Sequence, residues 1–277
     1  MADGLCPGCG GAGPVASRCS CGRYFVSPAA AARSAGDPAL GRLVLDRFVL
    51  LEARVFGARA TLYAALDTAR SDGCVVKVVR ADSDLAEAGR AVAREAELLG
   101  LAPREVAPAP RAHGALELPG QDPALAPAGL ACLALDEARG VALAALGLDP
   151  AALPAVARAL LAALGRLHGA GLVHGDLTPA HAFLDELGAV SLVDFGSAAR
   201  IGDPPDRADG ATPAFAAPER GEGPTVQADL FSWGRVIERL GPVADRRLAA
   251  AARYATAATP AARPSSAAEL LRALVAP

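Results

Sequence analysis

Four of the six cysteines stand in the first 21 residues, as Cys6-x2-Cys9 and Cys19-x-Cys21, and a glycine follows each pair. Thiolates on tight, glycine-containing turns can converge on one tetrahedral Zn²⁺, and about 25 residues are too few to build a stable core without such a staple. A structural zinc ribbon over residues 1–27 is expected. The alternatives are a disulfide pair, disfavoured where thiols are kept reduced, or a turn that no longer holds metal. Cys74 and Cys132 lie in apolar runs and read as buried core thiols.

A second chemical feature is LVHGDLTPAHAFLDELGAVSLVDFGSA, residues 172–198. Asp176 and Asp194 each end an apolar run and precede a hydrophobic residue, with Gly175 and His181 around the first. The pair raises phosphoryl transfer as the chemistry to test. Taken singly, Asp194 is a turn former before Gly196 and Asp176 a capping carboxylate. A third feature is Lys77, the one lysine against 26 arginines in a chain without asparagine. That skew looks like pressure toward GC-rich codons, which removes lysine wherever arginine serves. A planar guanidinium does not replace a compact ammonium in a phosphate pocket, whereas a plain surface lysine on a strand would be replaceable.

The elements that must position these residues follow from periodicity and turn signals. SPAAAARSAGDPALGR, residues 27–42, marks a linker taken as residues 28–46, with room for a short helix. Residues 47–80 alternate β-type runs around turn residues, an antiparallel meander whose third run holds Lys77. DLAEAGRAVAREAELLGL has helical periodicity, with Glu95 and Glu97 near its end. Strands are expected around 111–118 and 130–136, then helices at 151–169, 225–240, 244–256 and 265–275. A strand-rich first half and a helical second half suggest two lobes.

Together these stretches resemble the protein kinase family, from about Arg47 to Leu274. CVVK is similar to its strand-lysine motif and REAELL to the helix that supplies the glutamate partner. VHGDLTPAH resembles the catalytic loop usually written HRDLKPEN, and DFG the metal-binding turn. TPAFAAPE, DLFSWG and ATPAARPS are similar to the substrate-positioning segment, the central helix and the closing arginine motif. The resemblance implies an α+β, bilobal kinase-like fold, with an antiparallel N-lobe over 47–138 and a shortened helical C-lobe over 139–277. It implies ATP and Mg²⁺ or Mn²⁺ as cofactors. By the same resemblance, Lys77 contacts the α- and β-phosphates, Glu95 holds Lys77, Asp194 binds metal, and Asp176 accepts the proton of the attacking hydroxyl. Only one of Glu95 and Glu97 can face Lys77, since two positions turn a helical side chain by about 200°, and the gap-free register favours Glu95. Leu62, Val75 and Phe183 would sandwich adenine, with Leu135 behind and the backbone of Asp136 to Ala138 at its edge. All of these are also explicable as ordinary core residues. Asp229 would cap the catalytic-loop backbone.

The departures from the family pattern bear on activity. The glycine-rich loop appears as Val55-Phe56-Gly57-Ala58-Arg59-Ala60 and keeps only its central glycine, so backbone amides approach phosphates less closely. His181 stands where the family has a metal-coordinating asparagine; imidazole suits Mn²⁺ better than Mg²⁺, and the alternative is local packing. Thr178 replaces the lysine that neutralises the moving phosphoryl group. Gly175 replaces the arginine that answers a phosphorylated activation segment, so no phospho-switch at Ser197 is expected. Thr212 reads as the positioning threonine beside Asp176. The helix that docks protein substrates is reduced or missing, while Glu219 and Arg263 can still pair.

The chain has 277 residues, 52% of them hydrophobic, and a net charge of −3. That argues for a folded soluble protein, and no basic block points to nucleic acid. ALPAVARALLAALGRL is broken by Arg158 and Arg166 and falls short of the roughly 20 apolar residues of a membrane span. With no apolar signal core, a cytoplasmic location is expected. Three functions remain open: a serine/threonine protein kinase acting on a protein substrate, slow or Mn²⁺-favouring; a pseudokinase that binds nucleotide or a signalling partner; and a small-molecule phosphotransferase, suggested by HGDL but opposed by TPAFAAPE.

Overall fold

A computed structural model describes residues 3–57, 60–81, 84–117, 129–204 and 212–275. It contains both sheets and helices, an α+β architecture, and divides into two compact units, Met1–Ala96 with Ala109–Glu137 and Glu97–Pro108 with Ala138–Pro277.

The first unit opens with a hairpin, β1 (Asp3–Leu5) against β2 (Ala12–Pro14), followed by the short helix α1 (Pro28–Arg33). Ser27 caps α1 by accepting the Ala30 amide, and Pro28 starts it where no amide is needed. Then come β3 (Leu43–Val44), β4 (Phe48–Phe56), β5 (Ala60–Asp67), β6 (Asp72–Ala81), the helix α2 (Leu85–Leu101), β7 (Pro110–Glu117) and β8 (Gly129–Leu135). The strands form one antiparallel sheet in the order β3-β4-β5-β6-β8-β7. The meander expected over 47–80 is thus the β4-β5-β6 core of that sheet. Cys74, Val76 and Val78 of β6 face a core shared with Phe48, Leu50, Tyr63 and Cys132. Side chains alternate across a strand, so Val75 and Lys77 point to the opposite face. The segment read as a linker is built into this unit: Ala39 and Val44 belong to the sheet's own core, and Leu40 is fully buried.

The second unit carries β9 (Val141–Ala142), α3 (Leu153–Gly169), β10 (Leu172–Val173), β11 (Ala182–Leu184), β12 (Val190–Leu192) and β13 (Ala199–Arg200). Three helices follow, α4 (Val226–Leu240), α5 (Arg246–Ala255) and α6 (Ala267–Val275). β12-β11-β9 form a small sheet, and β10 pairs with β13. The buried residues of α3, including Val156, Leu160, Leu164 and Leu167, recur at helical spacing. α3 packs against α4 and α6, where fully buried Trp233 donates its indole N–H to the Ala157 carbonyl at 3.1 Å. α4 and α5 begin later than the periodicity predicts because Thr225 and Asp245 are caps: their side chains accept the Ala228 amide and the Arg247 and Leu248 amides. No helix among the described residues is long and apolar enough to cross a membrane.

Candidate functional site

In the first unit the sheet register gathers most of the residues expected to meet a nucleotide. Leu62 lies opposite both Val55 and Lys77, Val75 opposite Leu135, and Ala60 two positions before Leu62. Directly opposed residues share a face, as do residues two apart. Val55, Ala60, Leu62, Val75, Lys77 and Leu135 therefore occupy the same face, opposite the one that buries the core. Gly57 closes the β4–β5 connection: its amide donates to the Ala60 carbonyl at 2.8 Å, and a Cβ there would stand 2.8 Å from that same oxygen. This accounts for the one glycine kept in the loop. Ala58 and Arg59 lie outside the described residues. The Asp136 amide donates to the Ala109 carbonyl at 2.9 Å.

Lys77 Nζ donates to both carboxylate oxygens of Glu95, at 3.0 and 2.9 Å, and the two side chains are 14% and 5% exposed. Two equal contacts at low exposure fix the ammonium in place rather than leaving it to sample solvent. Glu97, two residues on, instead accepts from Arg200 at 2.5 Å.

The second unit assembles the aspartates. Asp229 is buried at the start of α4, and its carboxylate accepts the backbone amides of His174 and Gly175 at 2.8 and 2.9 Å and the Nε2–H of His168 at 2.9 Å. Burial works against its charge, but these donors hold its carboxyl below the ordinary value. The loop before Asp176 is thereby fixed from beneath. His174 is buried; its Nε2 faces the Val193 carbonyl at 3.0 Å, which can only accept, so Nε2 carries the proton and Nδ1 accepts the Asp176 amide at 3.3 Å. The buried imidazole is kept neutral, its pKa lowered by burial. Phe195 packs edge-on against it, with ring centroids 5.2 Å apart.

Asp176 and Asp194 are linked through His181. The His181 Nδ1 donates to the Asp176 carbonyl at 2.7 Å and lies 3.5 Å from the Asp176 carboxylate, while Nε2 lies 3.7 Å from Asp194 Oδ2. A carbonyl fixes the proton on Nδ1, so in the neutral ring Nε2 offers its lone pair toward Asp194. A histidine whose other nitrogen donates to a carbonyl is the usual oriented metal ligand. Asp194 holds a left-handed conformation, φ 63°, that turns its half-exposed carboxylate out of β12's line. Asp176 Oδ1 accepts the backbone N–H of Thr212 at 2.6 Å, so the contact runs through the Thr212 main chain. Thr178 is buried and its hydroxyl accepts the Ala180 amide. Gly175 has φ +75°, and a Cβ there would stand 2.3 Å from the Ser197 carbonyl. That approach explains why no arginine occupies this position. Phe183 is half-buried in β11, opposite Ser191 and Ala142. Arg263 donates to both oxygens of Glu219, at 2.6 and 2.8 Å, and its remaining donors reach the carbonyls of Ala257, Gln227 and Ala258. A buried pair satisfied on all sides sets geometry more than it adds stability.

At the N-terminus the thiols of Cys6, Cys9, Cys19 and Cys21 all lie within 4.8 Å of one another, with Cys6 to Cys21 at 3.3 Å and Cys9 to Cys19 at 3.6 Å. Four thiolates about 2.3 Å from one Zn²⁺ would stand just under 4 Å apart, so the donor set fits the ion. Gly10 and Gly22 have φ +74° and +91°, which is why a glycine follows each pair. Burial opposes ionisation of Cys6, but the Cys9 and Gly8 amides and the neighbouring thiols bring it down to about 6.

A charge cluster that motif reading missed joins the strand ends of the first unit. Asp67 is fully buried and takes both forks of Arg47 at 2.7 Å. Arg111, 7% exposed, bonds Asp67, Asp72 and Asp136 at 3.2, 2.5 and 2.6 Å. The Arg47 bonds, with the Ala69 and Arg70 amides, hold the Asp67 carboxyl at about 2. The available signal was parity: Tyr63, Ala65 and Asp67 share the inward face of β5, and an acid there requires a cation.

With this geometry established, the comparison with known families can be placed on it: residues 135–241 match the protein kinase domain. Lys77 and Glu95 lie outside that match and are placed by structure alone. Among curated proteins, the chain is similar to CBL-interacting protein kinase 16 of Oryza sativa subsp. japonica, 43% identical over 89 residues, 28% of this chain and 19% of the relative. It is also similar to the DNA damage-responsive serine/threonine-protein kinase RqkA of Deinococcus radiodurans, 34% identical over 93 residues, 28% of this chain and 13% of the relative. A 42-residue stretch, 15% of the chain, is 52% identical to sperm motility kinase Z of Mus musculus and covers 8% of it. The chain thus spans less than a fifth of the length of these relatives.

Proposed function

We propose that this chain is a cytoplasmic serine/threonine protein kinase of bilobal fold that transfers phosphate from ATP to a protein hydroxyl, slowly and with Mn²⁺ preferred over Mg²⁺. The observation that carries the reading is the Lys77 ammonium held by both oxygens of Glu95 on the sheet face that also bears Leu62, Val75 and Leu135. An ammonium so fixed suits charge compensation on a triphosphate, where catalysis rests on positioning more than on covalent work. Asp176 would take the proton of the acceptor hydroxyl. Asp194 and His181 would hold the divalent ion, which when bound neutralises charge on the phosphates. An oxygen–nitrogen ligand pair favours Mn²⁺, because Mg²⁺ prefers an all-oxygen octahedron. Thr178, in the place of the lysine, leaves the moving phosphoryl group less neutralised, which slows the step. The four N-terminal thiolates would hold a structural Zn²⁺. The partner is a protein substrate or signalling protein, with neither nucleic acid nor membrane involved.

A specific observation favours a second reading, a nucleotide-binding or partner-binding pseudokinase: Asp176 Oδ1 is already occupied by the Thr212 amide. The two are separated by a thermal-shift titration with ATP and either metal, followed by transfer of labelled phosphate to a generic acceptor. Binding with transfer that Asp176→Asn abolishes supports the kinase. Binding with no transfer above that variant supports the scaffold, and no binding with either metal contradicts both nucleotide readings.

A further inference from the structure

We infer that the N-terminal zinc ribbon is a buttress of the sheet that carries Lys77, so that zinc occupancy controls the order of β4 and β5. The inference goes beyond the assignment of a kinase and stands without it. An independent docking module would meet the rest of the chain through a polar, loosely packed linker. Here the connection is packed and hydrogen-bonded at several named points. Val26, from the ribbon, shares one buried cluster with Ala30 of α1, Leu40, and Leu51 of β4. Ala39 and Val44 join the main core beneath β4, β5 and β6.

A run of hydrogen bonds, all main-chain except one from the Arg23 side chain, connects metal turn to sheet. The Cys19 amide donates to the Arg23 carbonyl at 2.7 Å, and the Arg23 side chain donates to the Leu40 carbonyl at 2.8 Å. The Tyr24 amide donates to the Gly41 carbonyl at 2.7 Å, the Gly41 amide to the Leu50 carbonyl at 2.8 Å, and the Leu50 amide to the Arg42 carbonyl at 3.0 Å. Leu50 then pairs with Ala65 in β5, whose next neighbour is the strand of Lys77. The docking is close: Gly41 has φ +70°, and a Cβ there would stand 2.7 Å from the Tyr24 carbonyl and 2.8 Å from a carbon of the Pro7 ring. Buried Tyr63 adds a further tie, donating to Asp37 at 2.6 Å.

Among the described residues, the ribbon's own buried cluster is Cys6, Cys19 and Phe25, too small to persist without the metal. Loss of zinc would release Arg23, Tyr24 and Val26 together and leave the Leu40–Arg42 stretch, which bonds Leu50 of β4, without that support.

The test is hydrogen exchange on the full chain, before and after zinc chelation, with metal content measured in parallel and no nucleotide present. One zinc per chain is expected, and its removal should abolish amide protection at Gly41 and Leu50 and weaken it along β4 and β5, while α3 and α4 hold theirs. Gly41→Ala, which keeps all four cysteines, should retain zinc yet lose the same β4 protection. Unchanged β4 protection after zinc removal, equal losses in α3, or an absence of bound zinc would each overturn the inference. Because ATP plays no part, failure here is distinguishable from failure of the kinase reading.

Discussion

In the first unit an ammonium and a carboxylate meet with both oxygens engaged, on a sheet face whose other residues suit an apolar ring. In the second, two aspartates are joined through a histidine, and one of them already accepts a main-chain amide. The first arrangement keeps the residue types that resemble the kinase family; the second keeps its aspartates and changes what surrounds them. The contrast teaches where substitution is tolerated. Lys77 is fixed by strand register and by its buried partner Glu95, whereas His181 and Asp194 lie on loops, just before β11 and just after β12.

Removing chemistry from the second unit while leaving the first intact is the harshest way to break this comparison. Asp176→Asn is expected to lower phosphate transfer by about 10²- to 10⁴-fold with ATP affinity unchanged, measured by labelled-phosphate transfer and thermal shift. Transfer that survives would remove Asp176 from the reaction. The complementary change, Lys77→Met, removes the ammonium bonded to both Glu95 oxygens and should lower stability in denaturant unfolding, together with loss of the ATP-induced shift. A variant of wild-type stability would show that the pair is not held as described.

Smaller changes sharpen the account. Gly175→Arg, which restores the family's arginine, should destabilise by at least about 1 to 2 kcal/mol, because a side chain there meets the left-handed penalty and the Ser197 carbonyl together. Gain of activity in that variant would contradict the geometry. In acid, Asp67 sets a limit on the first unit. Its folded value of about 2 lies below the ordinary 3.8, so its stabilisation is complete above roughly pH 4 and is lost as pH falls toward 2. Asp67→Asn should flatten the unfolding free energy over that window; an unchanged slope would assign the acid sensitivity elsewhere.

Much of this was legible beforehand, for identifiable reasons. The period-2 and period-3.6 patterns placed β5, β6 and the helices α3 and α4, because one face of each is buried and the pattern records it, while β8, buried at every position, was marked by an unbroken apolar run. Helical geometry admits only one of Glu95 and Glu97 to Lys77, and it was the gap-free register of the resemblance that pointed to Glu95. The cysteine pairs announced their turns through the glycines at Gly10 and Gly22. What stayed hidden depends on distant chain segments meeting. The Asp67–Arg47–Arg111 cluster joins strands whose spacing encodes no motif. The role of Gly175 rests on the Ser197 carbonyl, and the contact between Asp176 and Thr212 runs through a main-chain amide that no side-chain pattern marks. Composition also misled over residues 28–46: alanine, glycine and proline read as a linker, yet small residues are what close packing against β4 requires.

The most direct test of the central claim is the metal dependence of phosphate transfer at saturating ATP, compared between the wild-type chain and His181→Asn. The account predicts faster turnover with Mn²⁺ than with Mg²⁺ in the wild type, and a shift toward Mg²⁺ when the imidazole gives way to an amide oxygen. Equal turnover with the two ions in the wild type, or a preference that His181→Asn leaves unmoved, would contradict it.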